Sequence, residues 1–230
     1  MNIGRILGRA LPGAGFAFAA VVISLGASHR LAAADSVADQ LRGTPLVLNA
    51  TLWWGFAALT IVRSRPVQKG QRGWGAALFC LASGSAALVV PPPLGSRLSL
   101  AQLAMSSAVS LGAVTLALTS LGRLGRCFGV LPDARGLVTG GPYRLVRHPL
   151  YLGEIGGVVG ITVAAPSARN FVALVGVVTA QIGRARLEER TLRKAFPGYA
   201  EYASRTPMLL PIRWPRRLSA ADARSPAVPT

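Results

Sequence analysis

The chain has 230 residues, of which 51% are hydrophobic and 14% charged, and it carries a net charge of +17. A soluble domain carries about 25% charged residues, so this deficit excludes an ordinary soluble globule and points into a membrane. Nucleic-acid binding, the reflex reading of the charge, is excluded as well, because the basic residues lie between apolar runs and not on one polar domain.

Six apolar runs follow one another: Leu11–Ser28, Pro45–Val62, Gly73–Val90, Leu98–Leu121, Leu150–Ala165 and Asn170–Gly183. A spanning helix takes about 20 residues. The first four runs fit. The last two are short and separated only by Pro166–Arg169, which predicts a tight helical hairpin whose legs gain length from flanking polar residues. Ahead of the first run stand Arg5 and Arg9, and LAAAD follows it, a pattern similar to a cleavable signal peptide. Its apolar length and the intervening His29 and Arg30 favour retention as a first span. Trp53, Trp54 and Trp74 read as membrane anchors or packing residues. PPPLG at 91–95 turns the chain after the third run, since proline cannot continue the backbone ladder. Residues 215–230, rich in Arg, Ala, Ser and Pro, read as a disordered tail.

Two cysteines, Cys80 and Cys127, make no disulfide framework, and two histidines, His29 and His148, make no zinc cluster, so no metal site is expected. Loop charge sets the orientation. With the N-terminus in the cytoplasm, twenty-one basic residues fall inside, and only Arg30, Arg42, Arg97 and Arg169 fall outside. The expected fold is therefore an all-α polytopic membrane bundle of about six spans, with a C-terminal helical hairpin. Residues 1–121 form its four-span N-terminal region, 122–214 the linker, the hairpin and its polar continuation, and both termini are cytoplasmic. The membrane expected is an inner membrane of bacterial type.

Between the fourth and fifth runs lies GPYRLVRHPLYLGEI, Gly141 to Ile155. Gly140-Gly141-Pro142 is a turn signal, and Pro149 suits a first helical turn, where its missing N–H costs nothing. His148 then falls at the N-cap, and a helix start flanked by Arg144 and Arg147 suits a carboxylate or phosphate. Headgroup anchoring is the ordinary explanation for such arginines, but it does not explain the tyrosines, prolines and histidine. After the hairpin comes RARLEERTLRKAFPGYAEYASRTPMLLP, whose helix should run to about Phe196 before Pro197-Gly198 stops it. The hairpin brings Glu188 and Glu189 back toward Arg147 and His148, where two acids opposite a basic helix start suit the two ends of a zwitterion. The ordinary alternative is a salt-bridged surface helix with Glu189–Arg193 at i, i+4. Glu154 falls one turn inside the fifth run, where a carboxylate needs a partner or a cavity, and it is a functional-site candidate; the ordinary alternative is a buried pair with Arg147 or Arg186. Gly153, Gly156, Gly157 and Gly160 give two interleaved GxxxG patterns, which point first to close helix packing and second to a cofactor groove.

LVTGGPYRLVRHPLYLGE followed by EERTLRKAFPGYAEYASRTPMLLP resembles the isoprenylcysteine carboxyl methyltransferase and phospholipid methyltransferase superfamily, over roughly Gly122 to Pro211. These are integral membrane enzymes that use S-adenosylmethionine, so the resemblance implies that residues 122–214 are a cofactor-binding catalytic region with a cytoplasmic cofactor pocket. The resemblance implies that Tyr143, Arg147, His148, Pro149, Tyr151 and Gly153 frame the cofactor pocket. It implies too that Glu188 and Glu189 are its acidic pair, and that Phe196 and Tyr199 belong to the segment closing it. Pro197 stands where the family has glycine. The candidate catalytic residues are Glu188, Glu189 and Glu154, with Glu154 or Glu189 the base if the acceptor is a lipid amine; a carboxylate or thiolate acceptor needs none. The acceptor implied is lipophilic or membrane-accessible and enters from the bilayer, and the cofactor enters from the cytoplasm. RHPxY is also similar to a segment of NADPH-dependent sterol-reductase-like enzymes, although Leu150 replaces a polar residue there. A transporter or scaffold subunit is the third reading; it calls for a polar line through several spans, whereas the serines and threonines of the first four are scattered and uncharged.

Overall fold

The computed structural model describes residues 3–87, 89, 91 and 98–211. Most of the PPPLG turn and all of the expected tail lie outside them. All six apolar runs are helices: α1 Ile3–Ala32, α2 Val37–Val62, α3 Arg72–Ala87, α4 Leu100–Leu124, α5 Pro149–Ala164 and α6 Ala168–Ala195, followed by a short α7, Tyr199–Arg205. No strand occurs among the described residues; a single bridge joins Gln68 to Ala134.

The helix starts are local chemistry. Ser36, Ser99 and Ser167 each accept a hydrogen bond from the backbone N–H three residues on, filling one of the donors a first turn leaves open. Gly125, at φ +46°, ends α4, a conformation that glycine adopts without penalty. Inside α2, Pro45 has no N–H to offer the carbonyl of Leu41. The Ser107 hydroxyl of α4 donates to that carbonyl at 3.4 Å, so one helix repairs the other.

Three segments, Gly13–Ala32, Val37–Val62 and Leu100–Cys127, are long and apolar enough to cross a membrane. Phe18, Leu25, Ile61 and Leu111 turn outward from them, as lipid-facing side chains do. The expected lengthening of the last two runs is half right. α6 continues 28 residues into its polar end, but α5 stops at 16 residues, about 24 Å against a hydrocarbon core of about 30 Å. The architecture is a helical membrane bundle in which three full-length apolar helices pack with the 16-residue α3 and α5 and with the long, polar-ended α6.

Packing follows residue size. α5 lies most intimately on α4, and its glycines are the reason. A Cβ at Gly153 would sit 2.7 Å from the Ala113 carbonyl oxygen and 2.8 Å from the Ala117 Cβ; one at Gly156 would sit 2.8 Å from the Ala113 Cβ. The Ser106 hydroxyl donates to the Gly160 carbonyl at 2.6 Å across the same seam. Gly157 has open space beside it. Meanwhile α6 leans mainly on α3, and α1 on α2, so the two legs of the hairpin touch each other less than they touch their outer partners. That divergence leaves a cavity between α5 and α6. Phe16, Trp53, Phe56, Phe79 and Phe128 form an aromatic cluster beside it, with ring centroids 5.3 to 6.1 Å apart.

Candidate functional site

The doorway peptide is fixed by its own turns and by the far end of the chain. Gly141, at φ +63°, opens a 3-10 turn through Arg144, and His148 caps α5 with Pro149 in its first turn, as the spacing predicts. The N–H groups of Arg147 and His148 donate to the carbonyls of Pro207 (2.8 Å) and Met208 (3.0 Å). The Tyr202 hydroxyl donates to the Tyr143 carbonyl at 2.7 Å. Residues 202–208 thus form a strap over the doorway, and nothing in TPMLLP announced that pairing. The α6 end comes at Ala195, with Phe196 as its cap, one residue short of the expected stop.

Here the two acids part company. Glu189 is buried between two arginines, Arg147 at 3.1 Å and Arg193 at 3.0 Å, and the Nε2 of His148 lies in hydrogen-bond contact with it at 3.3 Å. Burial alone would push its carboxyl up; the hydrogen bond from His148 and the charges of Arg147, His148 and Arg193 outweigh it and hold the carboxyl below the usual range. Glu188 instead lines the cavity and accepts a hydrogen bond from the Tyr151 hydroxyl, with the His148 Nδ1 at 3.8 Å. The rings of His148 and Tyr151 stack at 5.5 Å, only 2° from parallel. One acid locks the doorway arginines and the other faces the cavity, a division that follows from adjacent helix positions pointing about 100° apart.

The cavity runs from this doorway into the bundle. Tyr143, Arg147, His148, Tyr151, Gly153, Glu188, Tyr199 and Tyr202 line its polar end, and Phe16, Trp53, Phe79, Val114, Val158 and Val177 line its apolar end. Of the expected cofactor residues, Pro149 is buried in the first turn behind it, and the bare face of Gly153 serves the α4 seam while its backbone borders the space. Tyr199 is 1% exposed, and its hydroxyl has no hydrogen-bond partner among the described residues. Nor does the Nε of Arg147. Burial keeps the phenols of Tyr143 and Tyr199 far above their usual ionisation, and that of Tyr202 is pushed up to about 12, so all three stay neutral donors.

Glu154 does not make the ordinary pair with Arg147 or Arg186: its partner is Gln181 on α6, whose side-chain N–H donates to it. The oxygen of the same amide accepts from Arg184 at 3.3 Å. Arg184 is a cavity residue that the sequence reading left among the cytoplasmic bases. It is buried, donates to the Val130 carbonyl at 3.3 Å, and lies 4.8 Å from the Tyr151 ring and 5.3 Å from that of Phe79. The signal that could have found it is helical spacing: Val177, Gln181, Arg184 and Glu188 fall on one stripe of α6.

Residues 100–198 match the phospholipid methyltransferase family, in line with the motifs' resemblance. The chain is 37% identical over 106 residues to the cobalt-zinc-cadmium resistance protein CzcN of Cupriavidus metallidurans, which is 45% of this chain and 49% of that protein. It is 39% identical over 82 residues to the nickel-cobalt-cadmium resistance protein NccN of Alcaligenes xylosoxydans xylosoxydans, 33% of this chain and 36% of that protein. The chain thus spans about half of the one relative's length and about a third of the other's.

Proposed function

We propose that the protein is an integral membrane methyltransferase that binds S-adenosylmethionine at the doorway and methylates a lipophilic acceptor reaching it from the bilayer. One observation carries this reading: a single cavity joins a charged, hydrogen-bonding end to an apolar end inside the helices. A soluble cofactor and a membrane-borne acceptor need such a space in common. The match over residues 100–198 supports the chemistry.

The residues present fit the cofactor. The buried, partnerless hydroxyl of Tyr199 and the free Nε of Arg147 are donors that the folded chain leaves unused, which costs roughly 1–3 kcal/mol per group unless a ligand takes them. Both suit its carboxylate. Glu188, on the cavity wall, suits its ammonium or ribose hydroxyls, and the tyrosine rings suit a sulfonium cation. When bound, the cofactor supplies an electrophilic methyl group. The protein's share is to hold that group in line with the acceptor and keep water away, which is the larger part of such a displacement. Glu189 positions, by holding Arg147 and His148; Glu154 is the base where the acceptor carries a proton to lose. Residues 122–214 would be the catalytic region, with the helices of 1–121 as the acceptor's wall. The polar end would face the cytoplasm, on the side holding most basic residues. The setting would be the one named for the two relatives, resistance to cobalt, zinc, cadmium or nickel.

The test is a titration of purified protein with S-adenosylmethionine and with NADPH, alongside Tyr199→Phe. Binding of S-adenosylmethionine alone, weakened about tenfold in the variant, is expected. Binding of NADPH alone would turn the reading to the reductase.

A further inference from the structure

The inner wall of the cavity carries two opposite charges that do not touch. Glu154 on α5 and the Arg184 guanidinium on α6 are one amide apart: Gln181 donates to the first and accepts from the second. No ion pair within 4 Å joins either of them to another side chain among the described residues. Glu154, Gln181 and Arg184 all line the cavity. Holding a cation and an anion inside a bundle without pairing them is expensive, and such an arrangement in a cavity is complementary to a ligand that answers both.

Each acceptor class meets this pair differently. A permanent carboxylate would be attracted by Arg184 but repelled by Glu154, and would leave the base without use. An ammonium would be drawn to Glu154, yet its deprotonated amine gains nothing from a guanidinium. A neutral, weakly acidic hydroxyl uses both: its proton goes to the Glu154 carboxylate, and the charge developing on its oxygen is stabilised by Arg184. The aromatic side chains beside the pair favour an aromatic bearer of that hydroxyl. Phe79 and Tyr151 flank Arg184, and Phe16 and Trp53 continue the wall.

We propose that the methyl acceptor is a lipophilic phenol, with Glu154 as its general base and Arg184 as the stabiliser of its oxygen. This rests on the methyltransferase reading and names the substrate class of that same site. In the step the phenolic O–H bond breaks and its proton passes to Glu154. The oxygen forms a bond to the methyl carbon as the bond from that carbon to the sulfonium sulfur breaks, and the electron pair of the broken bond stays on sulfur.

Binding of shape-matched probes separates the classes without turnover. The protein in detergent micelles is titrated with 4-octylphenol, 4-octylbenzoate and 4-octylbenzylammonium, followed by the emission of Trp53, which lines the cavity; a Trp53→Phe control assigns the signal. The phenol should bind at least about tenfold tighter than either ion. Glu154→Gln should weaken the phenol and strengthen the benzoate, and Arg184→Gln should weaken the phenol and strengthen the ammonium. Arg184→Lys, which keeps the charge, should retain part of the preference. A wild-type preference for either ion, or equal binding of all three, overturns the proposal whatever the variants do. The same sample is titrated with S-adenosylmethionine: loss of that binding overturns the parent reading, whereas its presence with the wrong probe order overturns only the acceptor class.

Discussion

Replacing each member of the acidic pair by glutamine separates their two jobs. In Glu189→Gln the side chain keeps its size, but Arg147 and His148 lose their anion. The Glu189 side chain is 7% exposed and that of Arg147 14%, whereas Arg193 is half exposed and contributes only about 0.3–0.5 kcal/mol. Removing one partner of a fully buried pair costs about 3–5 kcal/mol. Residual solvent at Arg147 brings the expectation to about 2–4 kcal/mol. At roughly 2–4 °C per kcal/mol for a chain of this size, the midpoint of thermal unfolding falls by about 5–15 °C. Glu188→Gln leaves the Tyr151 hydroxyl an amide oxygen to donate to, so its cost should stay within about 1 kcal/mol. Its affinity for S-adenosylmethionine should drop about tenfold or more. The assay is thermal unfolding in detergent paired with calorimetric titration of the cofactor. A Glu188→Gln variant that unfolds as early as Glu189→Gln yet binds the cofactor at full strength would reverse the assignment of the two acids.

Gly153→Ala must push α5 off Ala113 and Ala117 and should destabilise by about 1–3 kcal/mol, whereas Gly157→Ala meets open space and should unfold within a few degrees of wild type; equal losses would deny the seam. Because the Glu189 carboxyl is held below its usual range, its contribution is complete above the unfolded value near pH 4.3 and is lost as pH falls through the lower folded value. Unfolding midpoints of wild type and Glu189→Gln should therefore differ at pH 7 and converge as the pH falls through the lowered folded value; a gap that persists undiminished in acid would remove the carboxylate's charge from the explanation. Reporter fusions after Arg65 and after Arg147 should both read cytoplasmic, and an external signal at either would invert the proposed orientation.

Much of the fold was legible because its causes are local. The six apolar runs and the Gly-Pro turn each act within a few residues, and each produced the expected element. The doorway was legible for the same reason: Pro149 and His148 set a helix start by themselves. What stayed hidden depends on register between helices distant in sequence. Arg184 looked like one more surface base in RARLEER, and only the approach of Tyr151 and Phe79 makes it a cavity residue. The partner of Glu154 stayed hidden on the same account, since charge matching offered an arginine where α6 presents Gln181. Adjacent acids on one helix differ by about 100° in direction, so the pair was bound to divide, but which acid turned to the cavity depended on where α6 leans.

The pairing of Arg147 and His148 with Pro207 and Met208 also orders events during synthesis. Sixty residues separate Arg147 from Pro207, whose carbonyl its N–H requires. At about 5–20 residues per second the ribosome adds them in roughly 3–12 s. α5 and α6 are themselves made within that interval, and once Ala195 is added all six long helices can exist while the doorway peptide still has two backbone donors unanswered and one wall missing. A nascent chain halted between Ala195 and Pro207 is therefore a membrane bundle without a finished pocket. On the proposed function, the ability to take up a reactive cofactor arrives late, only after the helices that enclose it are made.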